Sequence, residues 1–303
     1  MRGQPDLVLA LACLMAWFFL SAAKGAALYD GSLNTLPAQQ GWIFLAQPLL
    51  GNAVRQTAGQ GITILDTTAE TADKAGYFSN VPPLKSHPAN PVLDHAAGFV
   101  VRFGVRVNSE THNKDDRAGF SVIVIASDLQ GVELAFWTDE IWVHEDNPLF
   151  AHGEGRNVDT TAALAVYELA LQGESYALSA NGELLLTGRL RNYSSFGQPY
   201  DIANFLFFGD DASSAAASVE LASITVDPIH PLTPPKLSVA VWDSRGLELA
   251  LIGEPGWCHT VEVSTDLLAW TTFTNVTPAR PTVSILDPAA TNLTRRFYRA
   301  VVR

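Results

Sequence analysis

Cysteine is nearly absent from this chain: its 303 residues include only two, Cys13 and Cys258. Cys13 lies in an N-terminal apolar run that we predict to be removed on export, so Cys258 is the only cysteine expected in the mature protein. A single cysteine forms no intramolecular disulfide, and it excludes a metal site built from several thiolates. The mature chain must therefore be stabilised by apolar burial, for which its length is ample.

Positive charge is also scarce, with 19 Lys and Arg against 31 Asp and Glu and a formal net charge of -12. This balance argues against nucleic acids and anionic membranes as partners, because both attract positive charge. The chain has one long apolar run, residues 7–20, which follows Arg2 and precedes small residues. We assign residues 1–27 to a signal peptide. No later run approaches the roughly 20 apolar residues of a membrane span, so we predict a mature protein without one, secreted or held at the cell surface.

Several motifs of known chemistries are missing as well. The seven histidines are scattered, without a His-x-His or His-Glu-x-x-His pattern, which disfavours a zinc enzyme. The Gly-x-Ser-x-Gly elbow of many serine hydrolases is absent, and so is a Gly-rich phosphate-binding loop. The sequence therefore contains none of these motifs from which an enzyme's reaction is commonly identified.

What the chain does contain is strand-forming sequence. Alternate residues from Phe99 to Val107 are apolar, residues 119–126 are apolar on both faces, and residues 132–137 alternate again. A period of two is typical of a strand with one buried face, and a continuous apolar run is typical of a central strand. Roughly ten short strands and no long helix predict an all-β fold of two stacked antiparallel sheets.

Proline and glycine divide the chain. Four prolines within residues 228–235 favour a stiff extended linker. We therefore predict a signal peptide (1–27), a large β-sandwich (28–227), the linker (228–235) and a small β domain (236–303). Inside the large domain, Asn181-Gly182 between two apolar runs is a strong hairpin signal.

Five segments carry a resemblance to known proteins: residues 29–33, 118–122, 133–137, 178–182 and 205–211. They are similar to exported bacterial domains of the choice-of-anchor group, and the strand order resembles the concanavalin A-like lectin and laminin-G jelly rolls. The resemblance covers residues 28–226 and implies a concanavalin A-like jelly-roll sandwich. Residues 261–270 and 297–301 resemble a short fibronectin-like module, which implies an attachment unit without catalytic function.

Residues 137–145 hold the sharpest candidate site. In a regular strand Glu140, Trp142 and His144 share one face, while Ile141 and Val143 share the other. An aromatic ring beside hydrogen-bonding groups is suited to a sugar, which stacks on the ring and makes polar contacts. The alternative is that Trp142 covers the core edge and the charged groups are solvated.

The same segment suggests a catalytic alternative. Concanavalin A-like glycosidases place a nucleophile and an acid/base on one strand, and Glu140 and Glu145 have the longer of the two usual spacings. However, Trp142 stands where the middle Asp is expected. The odd spacing also directs the two carboxylates to opposite faces unless a bulge intervenes.

Asp210 and Asp211 are the best metal candidates, because they follow a buried strand into a loop. Loop carboxylates are typical calcium ligands, so the sequence allows a structural calcium, and it implies no other cofactor. The favoured function is non-catalytic binding of a polysaccharide or surface glycan. The alternatives are a glycoside hydrolase or polysaccharide lyase, and a structural or adhesive protein with no small ligand.

Overall fold

The computed structural model describes residues 25–229, 234–255, 257–292 and 295–302. Residues 1–24 of the predicted signal peptide and residues 230–233 of the predicted linker lie outside these ranges. Within them the only helices are short 3-10 helices: Gly31–Leu33, Pro37–Gln40, Ser194–Phe196 and Pro288–Asn292. The rest of the regular structure is strand, which confirms the all-β prediction. None of the described helices has the length and apolar character needed to cross a membrane.

The large domain contains seventeen strands. In chain order they are β1 (Ala26–Asp30), β2 (Ile43–Gln47), β3 (Arg55–Gly59), β4 (Ile62–Asp66), β5 (Lys74–Phe78), β6 (Asn80–Val81), β7 (Lys85–Ser86), β8 (Phe99–His112), β9 (Ser121–Ile125), β10 (Gly131–Phe136), β11 (Glu140–Asp146), β12 (Leu149–Asn157), β13 (Ala165–Gln172), β14 (Ser175–Ala180), β15 (Glu183–Arg189), β16 (Phe205–Asp210) and β17 (Ala215–Pro228).

These strands form two large antiparallel sheets. One has eight strands in the order β15-β14-β13-β8-β17-β4-β3, with β1 also paired to β17. The other has seven strands in the order β12-β11-β10-β9-β16-β5-β2, and β6 and β7 form a separate ribbon. Both large sheets contribute to one apolar core, which holds side chains of β8 and β13 from the first and of β9, β10 and β11 from the second. This confirms the predicted jelly-roll sandwich.

Residue alternation explains which faces meet. In β8 the alternate residues from Phe99 to Val107 are buried, as the sequence predicts. In β9 every residue is buried: Val122 and Val124 belong to the core between the sheets, whereas Ile123 and Ile125 belong to a second cluster. The seven-stranded sheet is therefore covered on both sides. We call the side away from the main core its outer face.

The predicted hairpin is present. Asn181 and Gly182 connect β14 to β15 and have φ values of 48° and 85°. Both residues of a type I′ turn require positive φ, which asparagine tolerates and glycine adopts freely. The ends of the large domain also meet, because Ala26 of β1 pairs with Val226 of β17.

The smaller domain contains six strands: β18 (Lys236–Asp243), β19 (Gly246–Ile252), β20 (His259–Ser264), β21 (Thr271–Val276), β22 (Thr282–Asp287) and β23 (Phe297–Val302). They form two three-stranded sheets, β18-β19-β22 and β21-β20-β23. Leu251 and Ile285 of the first sheet pack with Val261 of the second. This confirms the predicted second, smaller β-sandwich. Its fibronectin-like character stays a prediction.

Candidate functional site

The outer face of the seven-stranded sheet brings Glu133 and His144 together. β10 and β11 pair in regular register up to Leu134 and Val143, so Glu133 and His144 are the next pair along the two strands. At that point the Tyr193 hydroxyl bridges the strands. It accepts a hydrogen bond from the Glu133 backbone N–H at 3.3 Å and donates one to the His144 carbonyl oxygen at 2.7 Å. The backbones of Glu133 and His144 are therefore tied together by a third residue from a distant loop.

A cavity of about 400 Å³ opens above this pair. We call it the outer-face pocket. Its polar lining includes Lys74, Arg117, Glu133, His144, Gln198 and Asp211. Aromatic and aliphatic side chains line the remainder, among them Phe150, Phe196, Tyr200 and Phe207. A pocket with an apolar wall and a few convergent polar groups is the arrangement expected of a ligand site.

Three oxygen-bearing side chains meet at the closed end of the pocket. The Tyr200 hydroxyl donates a hydrogen bond to Glu133 Oε2 at 2.8 Å and lies 3.3 Å from Asp211 Oδ2. The Glu133 side chain is 2% exposed. Burial and the neighbouring Asp211 charge hold the pKa of Glu133 well above its usual value.

His144 stands beside this acid as a neutral imidazole. With its hydrogen on Nδ1, the ring donates to the Phe150 carbonyl oxygen at 3.2 Å, and Nε2 then lies 3.5 Å from Glu133 Oε1 as an acceptor. Burial lowers the pKa of His144 to about 4. At neutral pH His144 is therefore an uncharged base, beside the buried Glu133 carboxyl group and the Tyr200 phenol.

An aromatic wall forms one side of the pocket. The ring centroids of Phe150 lie 5.0 Å from Phe196 and 5.1 Å from Tyr200. Phe150 has a φ of 60°, a left-handed conformation that is costly for a bulky residue. In this conformation the Phe150 ring lies in the aromatic wall, and the Phe150 carbonyl oxygen faces Nδ1 of His144.

The structure brings only one of the three predicted binding residues to this pocket. Glu140, Trp142 and His144 do alternate onto the outer face, and His144 lines the pocket. Trp142, however, is fully buried and packs with Trp137, and its ring centroid is 4.1 Å from that of His152. Glu140 Oε1 is 3.3 Å from His152 Nε2. The expectation of an open stacking face at Trp142 is corrected: its ring covers the sheet, as the alternative interpretation proposed.

Glu140 and Glu145 are not brought together. The irregularities in the pairing of β11 with β12 place the extra residues in β12, so β11 itself keeps strict alternation. Glu145 consequently faces the other way, where Oε1 accepts a hydrogen bond from buried Arg191 at 2.8 Å. The catalytic alternative required a bulge in β11, and the structure places none there.

Asp210 and Asp211 also separate. Asp210 Oδ2 lies 2.6 Å from the Thr67 hydroxyl, and Asp210 Oδ1 accepts a hydrogen bond from the Ala212 N–H at 3.0 Å. Asp211 instead faces Tyr200 and Glu133. Over the described ranges, no group of three or more His, Cys, Asp or Glu side chains is arranged to hold a metal ion.

Sequence reasoning missed Glu133, Tyr200 and Arg117 as site residues. Glu133 alternates with core residues in β10, which is the ordinary pattern of a solvated charge. Only the tertiary structure shows that Glu133 is buried in a pocket, because its hydrogen-bond partner Tyr200 lies 67 positions away in the sequence. Asp211 was singled out, but for metal binding.

Comparisons with known proteins give structural similarity alone. No family model matches the chain, and no curated protein matches it. A carbohydrate esterase from a Shiga toxin-encoding bacteriophage is 12% identical with a TM-score of 0.43, over 63% of this chain and 91% of that chain. A Bacillus subtilis protein of unknown function with a galectin-like fold is 9% identical with a TM-score of 0.42, over 68% of this chain and 97% of that chain. An alginate lyase is 12% identical with a TM-score of 0.36, over 57% of this chain and 82% of that chain. Similarities at these TM-scores carry no argument about function.

Proposed function

We propose that this is an exported protein that binds a saccharide unit of a polysaccharide or surface glycan in the outer-face pocket. The observation that carries the proposal is the joint presence of an aromatic wall and convergent hydrogen-bonding groups around one cavity of about 400 Å³. A sugar ring has an apolar C–H face that packs on aromatic rings and a rim of hydroxyls that needs donors and acceptors. The volume lies near the lower end of the roughly 300–1,000 Å³ range of ligand pockets, which suits a short saccharide segment.

Within this proposal each part of the pocket has one task. The sugar ring packs on Phe196 and Tyr200, while its hydroxyls bond to Asp211 and to Nε2 of His144. Glu133 lies behind these groups and holds Asp211 and Tyr200 in place. We propose binding without catalysis, because the Tyr200 hydroxyl engages the side chains of both Glu133 and Asp211, at 2.8 Å and 3.3 Å. In glycosidases the two carboxyl groups flank the scissile bond instead, about 5 Å or more apart.

Removal of the most accessible aromatic ring tests the proposal. Phe196→Ala is expected to weaken glycan retention about three- to tenfold, because an aromatic contact contributes roughly 0.5–1.5 kcal/mol. Phe196 is 57% exposed, so its loss leaves the fold intact. The measurement is retention of the folded chain on a panel of polysaccharides, with released reducing ends and unsaturated products assayed in parallel.

The matched control is Trp242→Ala, which removes an aromatic side chain that is 63% exposed in the smaller domain. It is expected to retain glycans as the unchanged protein does. Equal retention by the two variants would place the binding site elsewhere. Product formation would favour the hydrolase or lyase alternative, and a panel with neither retention nor product would favour the structural or adhesive role.

Export makes a separate prediction about the cleavage site. Ala26 is fully buried in β1, and the Gly25 N–H donates a hydrogen bond to Asp227 Oδ1 at 2.9 Å. Cleavage after Ala27 would remove these contacts, whereas cleavage after Ala23 preserves them. We therefore shorten the proposed signal peptide from residues 1–27 to residues 1–23, and we expect the protein expressed in an exporting bacterium to begin at Lys24. The intact mass of the exported protein checks this, and a mass that begins at Leu28 would contradict it.

A further inference from the structure

Lys74 brings a positive charge into the outer-face pocket that the protein itself does not pair. It lies in β5 with Gly76, and both residues line the cavity because alternate positions of a strand share one face. Over the described residues, the Lys74 ammonium makes no hydrogen bond and no ion pair. The residue is half-buried, and partial burial strengthens the attraction of an ammonium group for an anion. A ligand with a negative group would therefore supply the partner that Lys74 lacks.

Arg117 lines the same cavity and is held there by one end of its guanidinium group. Nη1 donates to the Asp116 carbonyl oxygen and, at 3.3 Å, to the Phe150 carbonyl oxygen, and it lies 3.3 Å from Asp116 Oδ2. The guanidinium carbon lies 5.9 Å from the centre of the Phe150 ring, in the aromatic wall. Nε and Nη2 make no hydrogen bond with the described residues. Their N–H groups form an edge of two parallel donors, which is suited to an anionic group with two oxygens, such as a carboxylate.

The acidic side chains of the pocket differ from the two cations, because each already has a hydrogen-bonding partner in the protein. Asp210 Oδ2 lies 2.6 Å from the Thr67 hydroxyl, and Glu133 and Asp211 both face the Tyr200 hydroxyl. Burial also raises the pKa of Glu133 and raises the pKa of Asp210 to about 8, which reduces the negative charge that opposes an anion at neutral pH. The pocket therefore offers unused hydrogen-bond donors on both of its cations.

We propose that the outer-face pocket binds an acidic saccharide, whose anionic substituents are held by the Lys74 ammonium and by the Nε–Nη2 edge of Arg117. This inference rests on the proposed saccharide-binding function and names the ligand class of that site. The hydroxyls of the same sugar donate to Asp211 and to Nε2 of His144, so one ligand uses both the donors and the acceptors of the lining. The acidic net charge of the chain opposes such a ligand little, because exposed charges more than about 8 Å away are largely screened at physiological salt.

Sugars that differ only at C6 test the ligand class. Glucose, galactose and mannose are each compared with the corresponding uronate and 6-sulfate, by ligand-observed NMR with the full mature chain at neutral pH. At least one acidic form is expected to bind about tenfold or more tightly than its neutral parent, a factor that corresponds to about 1.4 kcal/mol. The tighter of the two acidic forms identifies a carboxylate or a sulfate ester as the preferred group.

Two other outcomes separate failure of the inference from failure of the proposed function. If acidic sugars and the acidic members of the polysaccharide panel bind no more tightly than their neutral counterparts, the inference is overturned and saccharide binding stands. Absence of binding by every sugar and by the whole panel contradicts the proposed function itself.

Substitution of the two cations separates their contribution from that of the net charge of the chain. Lys74→Gln and Arg117→Gln each remove one positive charge, and the double variant is expected to lose the preference for the acidic form while it binds the neutral parent as the unchanged protein does. Lys85→Gln and Lys114→Gln are the matched controls, because they remove the same charge from exposed residues outside the pocket lining. They are expected to leave the preference unchanged within about twofold.

Thermal unfolding establishes which variants are folded, since Arg117 also anchors the Phe150 carbonyl oxygen. Lys74→Gln removes no contact within the described protein, so it decides the matter even if Arg117→Gln fails to fold. Its preference for the acidic form is expected to fall at least about threefold. An unchanged preference in the folded Lys74→Gln protein, or an equal fall in the Lys85→Gln control, contradicts the inference.

Discussion

Replacement of Asp210 by asparagine is expected to stabilise the protein at pH 8 and to leave its stability at pH 4 almost unchanged. Asp210 is buried, and burial raises the pKa of its carboxyl group to about 8. The Thr67 hydroxyl donates to ionised Asp210 at Oδ2, 2.6 Å away, and accepts from the Ala217 N–H at 3.0 Å. When Asp210 is protonated, its carboxyl group donates to the Thr67 oxygen instead, and the Thr67 hydroxyl donates to the Ala217 carbonyl oxygen at 3.2 Å. An asparagine amide donates in the same place at every pH, and its oxygen still accepts from Ala212.

The sign of this expected change in the free energy of unfolding follows from proton linkage. Between about pH 4 and pH 8 the folded state holds a proton on Asp210 that the unfolded chain has released, so stability falls as the pH rises through this window. Each unit of pKa difference corresponds to about 1.4 kcal/mol, so we expect a difference of several kcal/mol between variant and unchanged protein at pH 8. Glu133 and His144 titrate in both proteins, and their contributions cancel in the comparison.

Urea unfolding at pH 4, 6 and 8 measures this difference. The control is Asp201→Asn, an exposed aspartate in the loop that precedes β16. Its effect on the free energy of unfolding is expected to be small and similar at the three pH values. A difference for Asp210→Asn that stays constant from pH 4 to pH 8 would show that Asp210 is ionised in the folded protein.

Arg191→Met is expected to lower the free energy of unfolding by about 3 kcal/mol. The Arg191 side chain is 2% exposed and donates to Glu145 Oε1 at 2.8 Å and to the Arg189 carbonyl oxygen at 3.0 Å. It also donates to Glu154 Oε2, while Tyr176 donates to the other oxygen of that carboxylate at 2.6 Å. Methionine fills the volume but leaves two partly buried carboxylates without their cation, and this accounts for the expected loss.

Arg189→Met is the matched control, because Arg189 binds the same Glu145 at 2.9 Å but has a side chain that is 54% exposed. Exposed ion pairs contribute about 0–1 kcal/mol, so this variant is expected to unfold almost as the unchanged protein does. The Arg191→Met effect should also shrink at low pH. Arg191 lowers the pKa of Glu145, and the stability that this pair contributes is lost as the pH falls and the carboxyl group is protonated. Equal effects of the two substitutions at neutral pH would contradict the assigned difference in burial.

Strand positions in the large domain could be predicted from sequence because they depend on local alternation. Alternate apolar residues predicted β8, a run apolar on both faces predicted β9, and Asn181-Gly182 predicted the β14–β15 turn. In each case the side chains decide the backbone conformation within a few residues, through the pleat of the strand or the φ values of the turn. The same reasoning correctly placed Glu140, Trp142 and His144 on one face of β11.

Whether that face is open could not be predicted in this way. The alternation in β11 is the same whether Trp142 contacts solvent or lies beneath His152 and Trp137, since the covering residues come from β12 and from the segment before β11. Whether Glu140 and Glu145 share one face of β11 could not be predicted for a similar reason. A bulge depends on how two strands pair, and here the irregularities fall in β12 rather than in β11.

The amino-acid sequence alone was therefore enough for the all-β class and the two-sandwich organisation, because period-two patterning and turn chemistry act over short distances along the chain. The outer-face pocket was decided only in three dimensions. Its closed end joins Glu133 of β10, His144 of β11, and Tyr200 and Asp211 from the segments before and after β16. Burial there raises the pKa of Glu133 and lowers the pKa of His144, and burial is a property of the assembled sheet and its covering loop rather than of any one segment.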